Sequence, residues 1–236
     1  MKLPIKAASY RPGLLVTIFA LLCFGATAKE SALHYLNDAL SEEATLLPPP
    51  PEPDSPEQAA DLDTVRAVYH AAGSNDMAAA YGEKQFSVFN FTPEVGGYFF
   101  SNSLPKTAAF FRKVQSDAAV VADAEKELFG RPRPYTVDAS LANGKLEKSF
   151  SYPSGHSTES MVLALVLVDL VPDKREAILR HAQTIGWHRV QIARHYPTDI
   201  YAGRVLALAI IRRMKQSQAF NKDFDEAKAE VAAAKN

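Results

Sequence analysis

Three short stretches of the chain, far apart in the sequence, carry charged and imidazole side chains that could act together. They hold one lysine, two arginines, two histidines, an aspartate and a Ser-Gly turn. In chain order the residues are Lys126 and Arg133; Ser154, Gly155 and His156; and Arg189, His195 and Asp199. A phosphoryl group carries up to two negative charges, and its transfer needs positioning, charge stabilisation, a nucleophile and an acid. This set of residues matches that task.

Each stretch also has an ordinary structural explanation when it is taken alone. Lys126 lies near a predicted helix C-terminus, where its charge is favourable, and the third stretch could be a surface ion pair. The Ser-Gly turn could be a plain N-cap, although the free N–H groups of a helix start also bind anions. Pro197 suits a first helical turn, which places His195 just ahead of that helix and Asp199 within it. The carboxylate could then accept a hydrogen bond from the imidazole. The three stretches complement one another, so we predict that they form one site.

Helical periodicity dominates the rest of the chain, and we predict an all-α fold built as a compact helical bundle. No run of alternating apolar residues is long enough to build a sheet, and no internal repeat is present. The predicted helices cover residues 58–72, 107–128, 157–171, 174–186, 198–216 and 221–235. The segment 161–171 is apolar on all sides but too short to span a bilayer, and Asp169 interrupts it. We therefore assign this segment to the buried centre of the bundle.

Proline, glycine and polar residues mark the connecting segments. Residues 48–56 read PPPPEPDSP and should run as an extended polyproline linker. Residues 85–105 are aromatic-rich and broken by proline and glycine, which indicates a loop or short helix. The stretch 86–100 within them could be core, a substrate lid or a dimer contact, and we favour core. Residues 135–152 are predicted to form a polar loop.

The first 28 residues have the pattern of a secretory signal peptide. Three basic residues precede the apolar run 14–24, and Ala26-Thr27-Ala28 supplies the small residues that a signal peptidase accepts before Lys29. A run of about 11 apolar residues is short beside the ~20 that span a bilayer. An uncleaved anchor or a lipoprotein at Cys23 are the alternatives. We expect export to the periplasm, or secretion, and no stable membrane insertion after cleavage.

We divide the chain into a signal peptide at 1–28, an N-terminal segment with the Pro-rich linker at 29–56, and a single helical catalytic domain at 57–236.

The 26 Lys and Arg against 27 Asp and Glu give a net charge of −1, which argues against a basic nucleic-acid-binding protein. Cleavage would remove three positive charges and leave a net charge of −4. The single Cys excludes an intramolecular disulfide, and no Cys/His cluster has zinc-ligand spacing.

The spacing of the three stretches resembles the type 2 phosphatidic acid phosphatase superfamily, which also contains the vanadium haloperoxidases. The shared pattern is Lys-x6-Arg-Pro, then Pro-Ser-Gly-His, then Arg-x5-His-x3-Asp, and its lysine spacing selects Arg133 over Arg131. The signal peptide, the Leu-Leu-Pro-Pro-Pro-Pro run at 46–51 and the Ser-Tyr-Pro-Ser-Gly-His run resemble the secreted class A bacterial non-specific acid phosphatases. The resemblance covers about residues 46–204. His188 departs from it, because the family usually has Ser there; we expect it to replace the hydrogen bond of that Ser rather than to assist catalysis.

The resemblance implies the helical bundle of that superfamily and a phosphohistidine intermediate. His195 would attack phosphorus while Asp199 holds the proton on the other ring nitrogen. His156 would protonate the leaving alcohol and then activate the hydrolytic water. The helix dipole should lower the pKa of His156 and a bound phosphate should raise it. The phosphate effect should prevail, so activity should be best at acidic to near-neutral pH.

The resemblance also implies a phosphate cradle. Lys126, Arg133 and Arg189 would bind the phosphoryl oxygens, and Ser154 with the Gly155 amide would complete the cradle. Because these groups are cations and amides, we expect no metal and no other cofactor, and inhibition by vanadate. The predicted function is an acid phosphatase, a phosphoric monoester hydrolase, with a small-molecule phosphate monoester as substrate and inorganic phosphate as product.

Three other functions are compatible with the same residues. Two share the fold: a soluble lipid-phosphate phosphatase and a vanadium-dependent haloperoxidase. The third is a non-enzymatic phosphate-binding protein, which would need neither a nucleophile nor an acid. We expect no nucleic-acid partner, and association into a homo-oligomer is left open.

Overall fold

A computed structural model describes residues 33–36, 47–83 and 85–235 of the chain. The predicted signal peptide lies outside these residues, as does most of the N-terminal segment before the Pro-rich linker. Within the described residues the chain folds as helices and connecting loops, and no β-strand is present there. The all-α prediction is confirmed.

The helices, labelled in chain order, range from one turn to seven turns in length. They are α1 (Pro56–Ala71), α2 (Ser74–Gly82), α3 (Thr92–Val95), α4 (Pro105–Phe129), α5 (Pro134–Val137), α6 (Gly155–Leu170), α7 (Arg175–Gln191), α8 (Pro197–Met214) and α9 (Gln218–Lys235). Short 3-10 turns at Val88–Phe91, Ala139–Leu141 and Pro172–Lys174 join some of them. No helix in this described part of the chain is long and apolar enough to cross a membrane.

Helix α6 is the centre of the bundle. It packs against α4, α7 and α8, and only four of its sixteen residues are not fully buried. This is the environment that its apolar sequence predicts, since a helix without a polar face has to be covered on all sides. Around it, α9 packs on α4, and α1 and α2 pack on α7.

Two glycines let the neighbouring helices approach the first turn of α6. A Cβ atom at Gly203 of α8 would lie 2.8 Å from the carbonyl oxygen of Ser154 and 2.9 Å from the Cβ of Ser157. One at Gly186 of α7 would lie 3.2 Å from the Ser157 hydroxyl. Helices α7 and α8, which carry the third stretch, are therefore held close to the helix start that carries the second.

The structure departs from the predicted elements in three places. The predicted polar loop at 135–152 contains most of the short helix α5 and a 3-10 turn at Ala139–Leu141. Helix α7 continues through Gly186 to Gln191 instead of ending at residue 186. Gly186 allows a close contact between α7 and its neighbours and does not mark a helix end. Helix α2 follows a Gly N-cap and was not predicted. In the aromatic stretch, Phe91 and Phe99 are fully buried, as expected for core.

Candidate active site

The first stretch lies where α4 ends. Gly130 adopts a left-handed conformation (φ 61°), and its N–H donates to the carbonyl of Lys126 at 2.9 Å. This cap turns the chain back toward the bundle, and Arg131 and Arg133, which follow it, are buried. The Lys126 ammonium is 2.7 Å from Asp123 and would be 3.1 Å from a Cβ at position 155. Gly155 thus leaves the space in which Lys126 reaches the start of α6.

The second stretch forms the N-terminus of α6. The Ser154 hydroxyl accepts a hydrogen bond from the amide of Ser157 at 3.3 Å, which caps the helix. The Ser154 amide donates to the carbonyl of Asp199 at 3.1 Å and ties this turn to the third stretch. Amides in the first turn of a helix have no partner inside that helix, so this end of α6 can bind an anion.

The third stretch turns sharply between α7 and α8. Ala193 has a positive φ of 53°, and the amides of Arg194 and His195 both donate to the carbonyl of Arg189, at 2.8 and 3.3 Å. This turn brings His195 back beside Arg189 before α8 begins at Pro197. Arg133 joins the first stretch to the third, because its Nη1 donates to the carbonyl of Arg194 at 3.0 Å.

The His195 ring is buried and contacted at both nitrogens. Its Nδ1 lies 2.8 Å from the carbonyl of Ser151 and 3.3 Å from the Asp199 carboxylate. Both partners are acceptors, so these contacts assign the proton to Nδ1 and the lone pair to Nε2. Nε2 is 3.2 Å from Nη1 of Arg133. Burial, and then the charge of Arg133, lower the pKa of His195 well below its ordinary value. The ring is therefore a neutral imidazole with an available Nε2.

The Asp199 carboxylate is fully buried and held by four donors. Besides His195 it accepts hydrogen bonds from Nη1 of Arg131 and the hydroxyl of Ser151, both at 2.5 Å, and from the Tyr196 amide at 2.9 Å. Burial raises the pKa of Asp199, and these donors act against that rise. The nearer acceptor for His195 is the Ser151 carbonyl, so two groups rather than one orient the ring.

Arg131 connects this network to α1. Its Nη2 donates to Asp61 at 2.8 Å and to Gln58 at 2.6 Å, and its guanidinium lies 4.0 Å from the centroid of the Tyr196 ring. Sequence reasoning set Arg131 aside in favour of Arg133. In the structure, Arg131 pairs with the Asp199 carboxylate instead of lying with the cations of the predicted phosphate cradle. Its adjacency to the motif was the one available signal for this role.

His156 lies in the first turn of α6 with fewer polar contacts than His195. Its Nε2 is 3.2 Å from the backbone carbonyl of Glu83, and the ring of Phe86 packs on it at a centroid distance of 5.4 Å. Burial, and then the charge of Arg189, lower the pKa of His156 to about 3. The ring is neutral at neutral pH in the free site. The rise of this pKa on phosphate binding stays a prediction.

His188, the residue that replaces the family's usual Ser, contacts the same region. Its Nδ1 lies 2.7 Å from the carboxylate of Glu83, whose backbone carbonyl contacts His156. His188 therefore makes a hydrogen bond of its own, with a partner from α2 that the sequence does not reveal.

One acidic residue, Glu147, lies among the cations of the site. One carboxylate oxygen is 2.7 Å from Nη2 of Arg133 and the other is 2.6 Å from Nη2 of Arg189. Burial raises the pKa of Glu147, but the charges of Arg133 and Arg189 outweigh it and lower the pKa to about 2. Sequence analysis missed this residue, because it lies in the polar loop and belongs to none of the three motifs.

The three stretches therefore meet in one cup. Arg133 and Arg189 share one carboxylate, Arg133 touches His195, and Lys126 lies against the start of α6. The Nε of Arg189 is buried and has no hydrogen-bond partner among the described residues. Such a cup can bind a tetrahedral oxyanion next to a neutral imidazole.

A cavity of about 670 Å³ opens beside the cup. Arg189 and Glu147 line it on the side of the cup, and Tyr81, Leu146 and Ile192 add apolar surface. This volume is within the range of small-molecule sites. In the part of the chain that the structure describes, no group of three or more His, Cys, Asp and Glu residues could hold a metal ion.

Comparison with known proteins finds a family match and several similar phosphatases. Residues 113–223, which include all eight residues named from the sequence, match the PAP2 superfamily. A non-specific acid phosphatase from Salmonella typhimurium is 28% identical over 78% of this chain and 78% of its own length. An acid phosphatase from Zymomonas mobilis is 28% identical over 87% of this chain and 80% of its own. A non-specific acid phosphatase from Providencia stuartii is 28% identical over 89% and 88%.

A crystal structure of a transmembrane PAP2-type phosphatidylglycerolphosphate phosphatase from Bacillus subtilis is also similar. It is 20% identical, covers 75% of this chain and 90% of its own, and has a TM-score of 0.48. The match of residues 113–223 to the PAP2 superfamily and the similarity to acid phosphatases support phosphatase activity.

Proposed function

We propose that this protein is an acid phosphatase that hydrolyses soluble phosphate monoesters through a phosphohistidine intermediate, without a metal ion. The observation that carries the proposal is the environment of His195. Its Nδ1 faces two acceptors, and its Nε2 faces Arg133. Arg133 and Arg189 line the same cup. A histidine with one fixed proton and one free lone pair beside an anion site is suited to attack phosphorus.

Substrate binding would begin with the phosphoryl group entering the cup. Arg133 and Arg189 would donate to its oxygens, with Lys126 and the free amides of the α6 start around them. These donors are fixed by the fold before substrate arrives, which is the condition under which electrostatic stabilisation of a transition state is largest. The leaving group would lie toward the adjacent cavity.

In the first chemical step, the Nε2 lone pair of His195 forms a bond to phosphorus and the ester P–O bond breaks. The leaving oxygen takes a proton from His156 and departs as an alcohol. Asp199 and the Ser151 carbonyl stabilise the Nδ1–H of the phosphorylated ring. In the second step, His156 removes a proton from water, the water oxygen attacks phosphorus, and the P–N bond breaks to release inorganic phosphate and neutral His195.

The proton for the leaving group has to arrive with the substrate. With a pKa of about 3, His156 is unprotonated in the free site at neutral pH. A phosphate ester has a second pKa near 6, so its monoanion brings one proton into the cup. The two groups then share that proton, and the phosphate charge next to the ring favours imidazolium. Acidic conditions would therefore favour turnover.

The chemistry of the donor set supports a mechanism without a metal ion. The cup is lined by a lysine and two arginines, and the carboxylate of Glu147 is paired with both arginines. Cations in these positions already supply the charge that a divalent ion supplies in other phosphatases. We therefore expect activity to persist in EDTA and vanadate to inhibit it.

The decisive experiment is a rapid-quench assay with p-nitrophenyl phosphate on wild type, His195→Ala and the control His70→Ala, an exposed histidine of α1. Wild type and the control should form an acid-labile, base-stable phosphoenzyme, whereas His195→Ala should form none and turn over negligibly. Unchanged turnover in His195→Ala would place the nucleophile elsewhere.

Parallel assays with a short-chain phosphatidic acid, and with bromide, peroxide and vanadate, separate the lipid phosphatase and haloperoxidase alternatives. Phosphate binding without turnover of any ester would favour a binding protein.

We also propose that the mature protein works in the periplasm. The proposal rests on the predicted signal peptide, which lies outside the described residues, and on the acid phosphatase relatives. Cell fractionation with N-terminal sequencing tests it, and the expected first residue of the mature chain is Lys29.

A further inference from the structure

The Glu147 carboxylate occupies the place where a phosphoryl group would bind. Its two oxygens contact the guanidinium groups of Arg133 and Arg189 at 2.7 and 2.6 Å, with Arg194 Nε at 4.0 Å. A carboxylate and a phosphate present the same kind of oxygen pair to arginine. The two arginine side chains are only 3–4% exposed, whereas that of Glu147 is 36% exposed. The acid therefore reaches buried cations from the solvent side, along the route that a substrate would take.

The cup requires an anion when no substrate is present. Arg133 and Arg189 lie close enough for each to affect the other, and burial together with neighbouring cations lowers the pKa of Arg189. Two buried guanidinium groups without a negative partner are costly, because neither is solvated. Glu147 supplies that partner from the protein itself.

The backbone around Glu147 is fixed, so the side chain can leave without opening the loop. The hydroxyl of Tyr135 donates to the Glu147 carbonyl at 2.8 Å and accepts from its amide at 3.1 Å. On the preceding side, Nη2 of Arg194 donates to the carbonyl of Asn143 at 2.5 Å. The glutamate side chain has three rotatable bonds, and the adjacent cavity is partly lined by Glu147. A rotamer change toward this cavity would clear the cup.

From these contacts we infer that Glu147 is an internal competitor for the phosphate site, which holds the cup in the absence of substrate and lowers its affinity for phosphate. The inference rests on the proposed function, since it assumes that the cup binds phosphate. A competitor of this kind reduces apparent affinity by the fraction of molecules in which it occupies the site. Its return to the arginines would also help to displace the inorganic phosphate product.

The test is calorimetric titration of inorganic phosphate into wild type, Glu147→Gln and the control Glu176→Gln. Glu176 also pairs with an arginine but lies on α7 thirteen residues from Arg189, about 20 Å at 1.5 Å per residue. Glu147→Gln keeps the size of the side chain and removes the charge. It should bind phosphate about tenfold more tightly, and the KM for p-nitrophenyl phosphate should fall in the same proportion, whereas Glu176→Gln should match wild type.

A second variant, Tyr135→Phe, keeps the ring and removes both contacts to the Glu147 backbone. It should shift phosphate affinity in the same direction by about twofold to threefold. Unchanged or weaker phosphate binding in Glu147→Gln would overturn the inference and assign Glu147 to positioning the two arginines. Loss of kcat with unchanged phosphate affinity would also overturn it. If neither wild type nor the variant binds phosphate, the proposed function itself fails.

Discussion

The two histidines of the site lie in different surroundings. His195 is 2% exposed and belongs to a network in which Asp199, Arg131 and Asp61 are all buried and paired. Among the residues that the structure describes, His156 makes one polar contact, with the backbone carbonyl of Glu83 just after α2, and an aromatic ring packs beside it. The His195 side of the cup is thus fixed by charge pairs from three parts of the chain, and the His156 side is held by loop contacts.

This contrast suits the roles that we propose for the two rings. A nucleophile needs one tautomer throughout the reaction, and a carboxylate with four donors cannot easily rearrange. A general acid has to gain and lose a proton in each cycle, and a ring with a single neutral contact leaves its protonation to the ligand. The predictions below test this difference between the two sides.

Asp199→Asn should have the largest effect on turnover. The amide can present its NH2 group to Nδ1 of His195, which would move the ring proton to Nε2 and remove the attacking lone pair. We expect kcat to fall by about 10³-fold or more, comparable with the loss when a catalytic histidine is held in the wrong tautomer. The measurement is steady-state kinetics, with circular dichroism to establish folding.

The matched control is Asp169→Asn, which changes a partly exposed aspartate paired with Lys215 at 2.7 Å. It should leave kcat unchanged. A folded Asp199→Asn protein with more than a tenth of wild-type kcat would show that the Ser151 carbonyl alone orients His195, and the nucleophile's side would then need no charge network.

Arg131→Ala should have the next largest effect, on stability. It leaves two buried carboxylates, Asp61 and Asp199, without their cation. Breaking a buried ion pair in this way costs about 3–5 kcal/mol, because the remaining charge is neither solvated nor paired. Urea unfolding followed by circular dichroism measures the change in free energy of unfolding.

The chain offers a close control in Arg66, which also pairs with two aspartates, Asp63 and Asp138, but at the surface. Arg66→Ala should show no measurable change, because water and salt screen exposed pairs. Equal losses in the two variants would contradict the view that burial gives the Arg131 network its strength.

The pH profile should follow the protonation of the substrate rather than that of either histidine. The pKa of His195 is lowered well below 6.5 and that of His156 to about 3, so both rings are neutral in the free enzyme near pH 6.5. A change in the protonation of either ring therefore cannot make kcat/KM fall near that pH. Since the substrate monoanion carries the proton, kcat/KM should fall about tenfold per unit above the second pKa of the substrate phosphate, near 6.

Two substrates with different phosphate pKa values separate the alternatives. An aryl phosphate has a lower second pKa than an alkyl phosphate, so its limb should begin at lower pH. A limb at one pH for every substrate would assign the titration to an enzyme group, and a maximum well above pH 8 would contradict the role of His156.

The sequence predicted the helices better than it predicted the partners of the site residues. The apolar run of α6 and the Ala-rich run of α4 have enough periodicity to be located within a few residues. The eight candidate residues could be named from the sequence because chemistry restricts their types and the motif of the family that the sequence resembles restricts their spacing. Those restrictions do not extend to residues that only contact them.

The missed residues show why. Arg131 pairs with Asp61 across 70 positions, and nothing local to either residue indicates the other. Glu147 has the opposite charge to the one expected in a phosphate cradle, so a search for cations passes over it. Its role depends on where the polar loop lies, which tertiary packing decides rather than local pattern.

The smallest expected effect concerns the contacts that position His156. It tests whether these loop contacts contribute to turnover. Glu83→Ala removes the 2.7 Å contact with His188 and loosens the end of α2 whose carbonyl faces His156. We expect kcat to fall by about twofold to fivefold, more for alkyl than for aryl phosphates, because alkoxide leaving groups depend more on the acid. Steady-state kinetics on both esters provides the measurement.

Helix α7 supplies the control for this variant, because it carries a second His–Glu pair seven residues earlier. His181 contacts Glu94 at 2.7 Å, and the two pairs are similarly buried. Seven residues are two turns, so both histidines lie on one face of α7, about 10 Å apart. Glu94→Ala should lower the melting temperature about as much as Glu83→Ala but leave kcat and the alkyl-to-aryl ratio unchanged. If both variants lower kcat alike, the His188–Glu83 pair acts through stability alone. No specific contact at the end of α2 would then be needed to position His156.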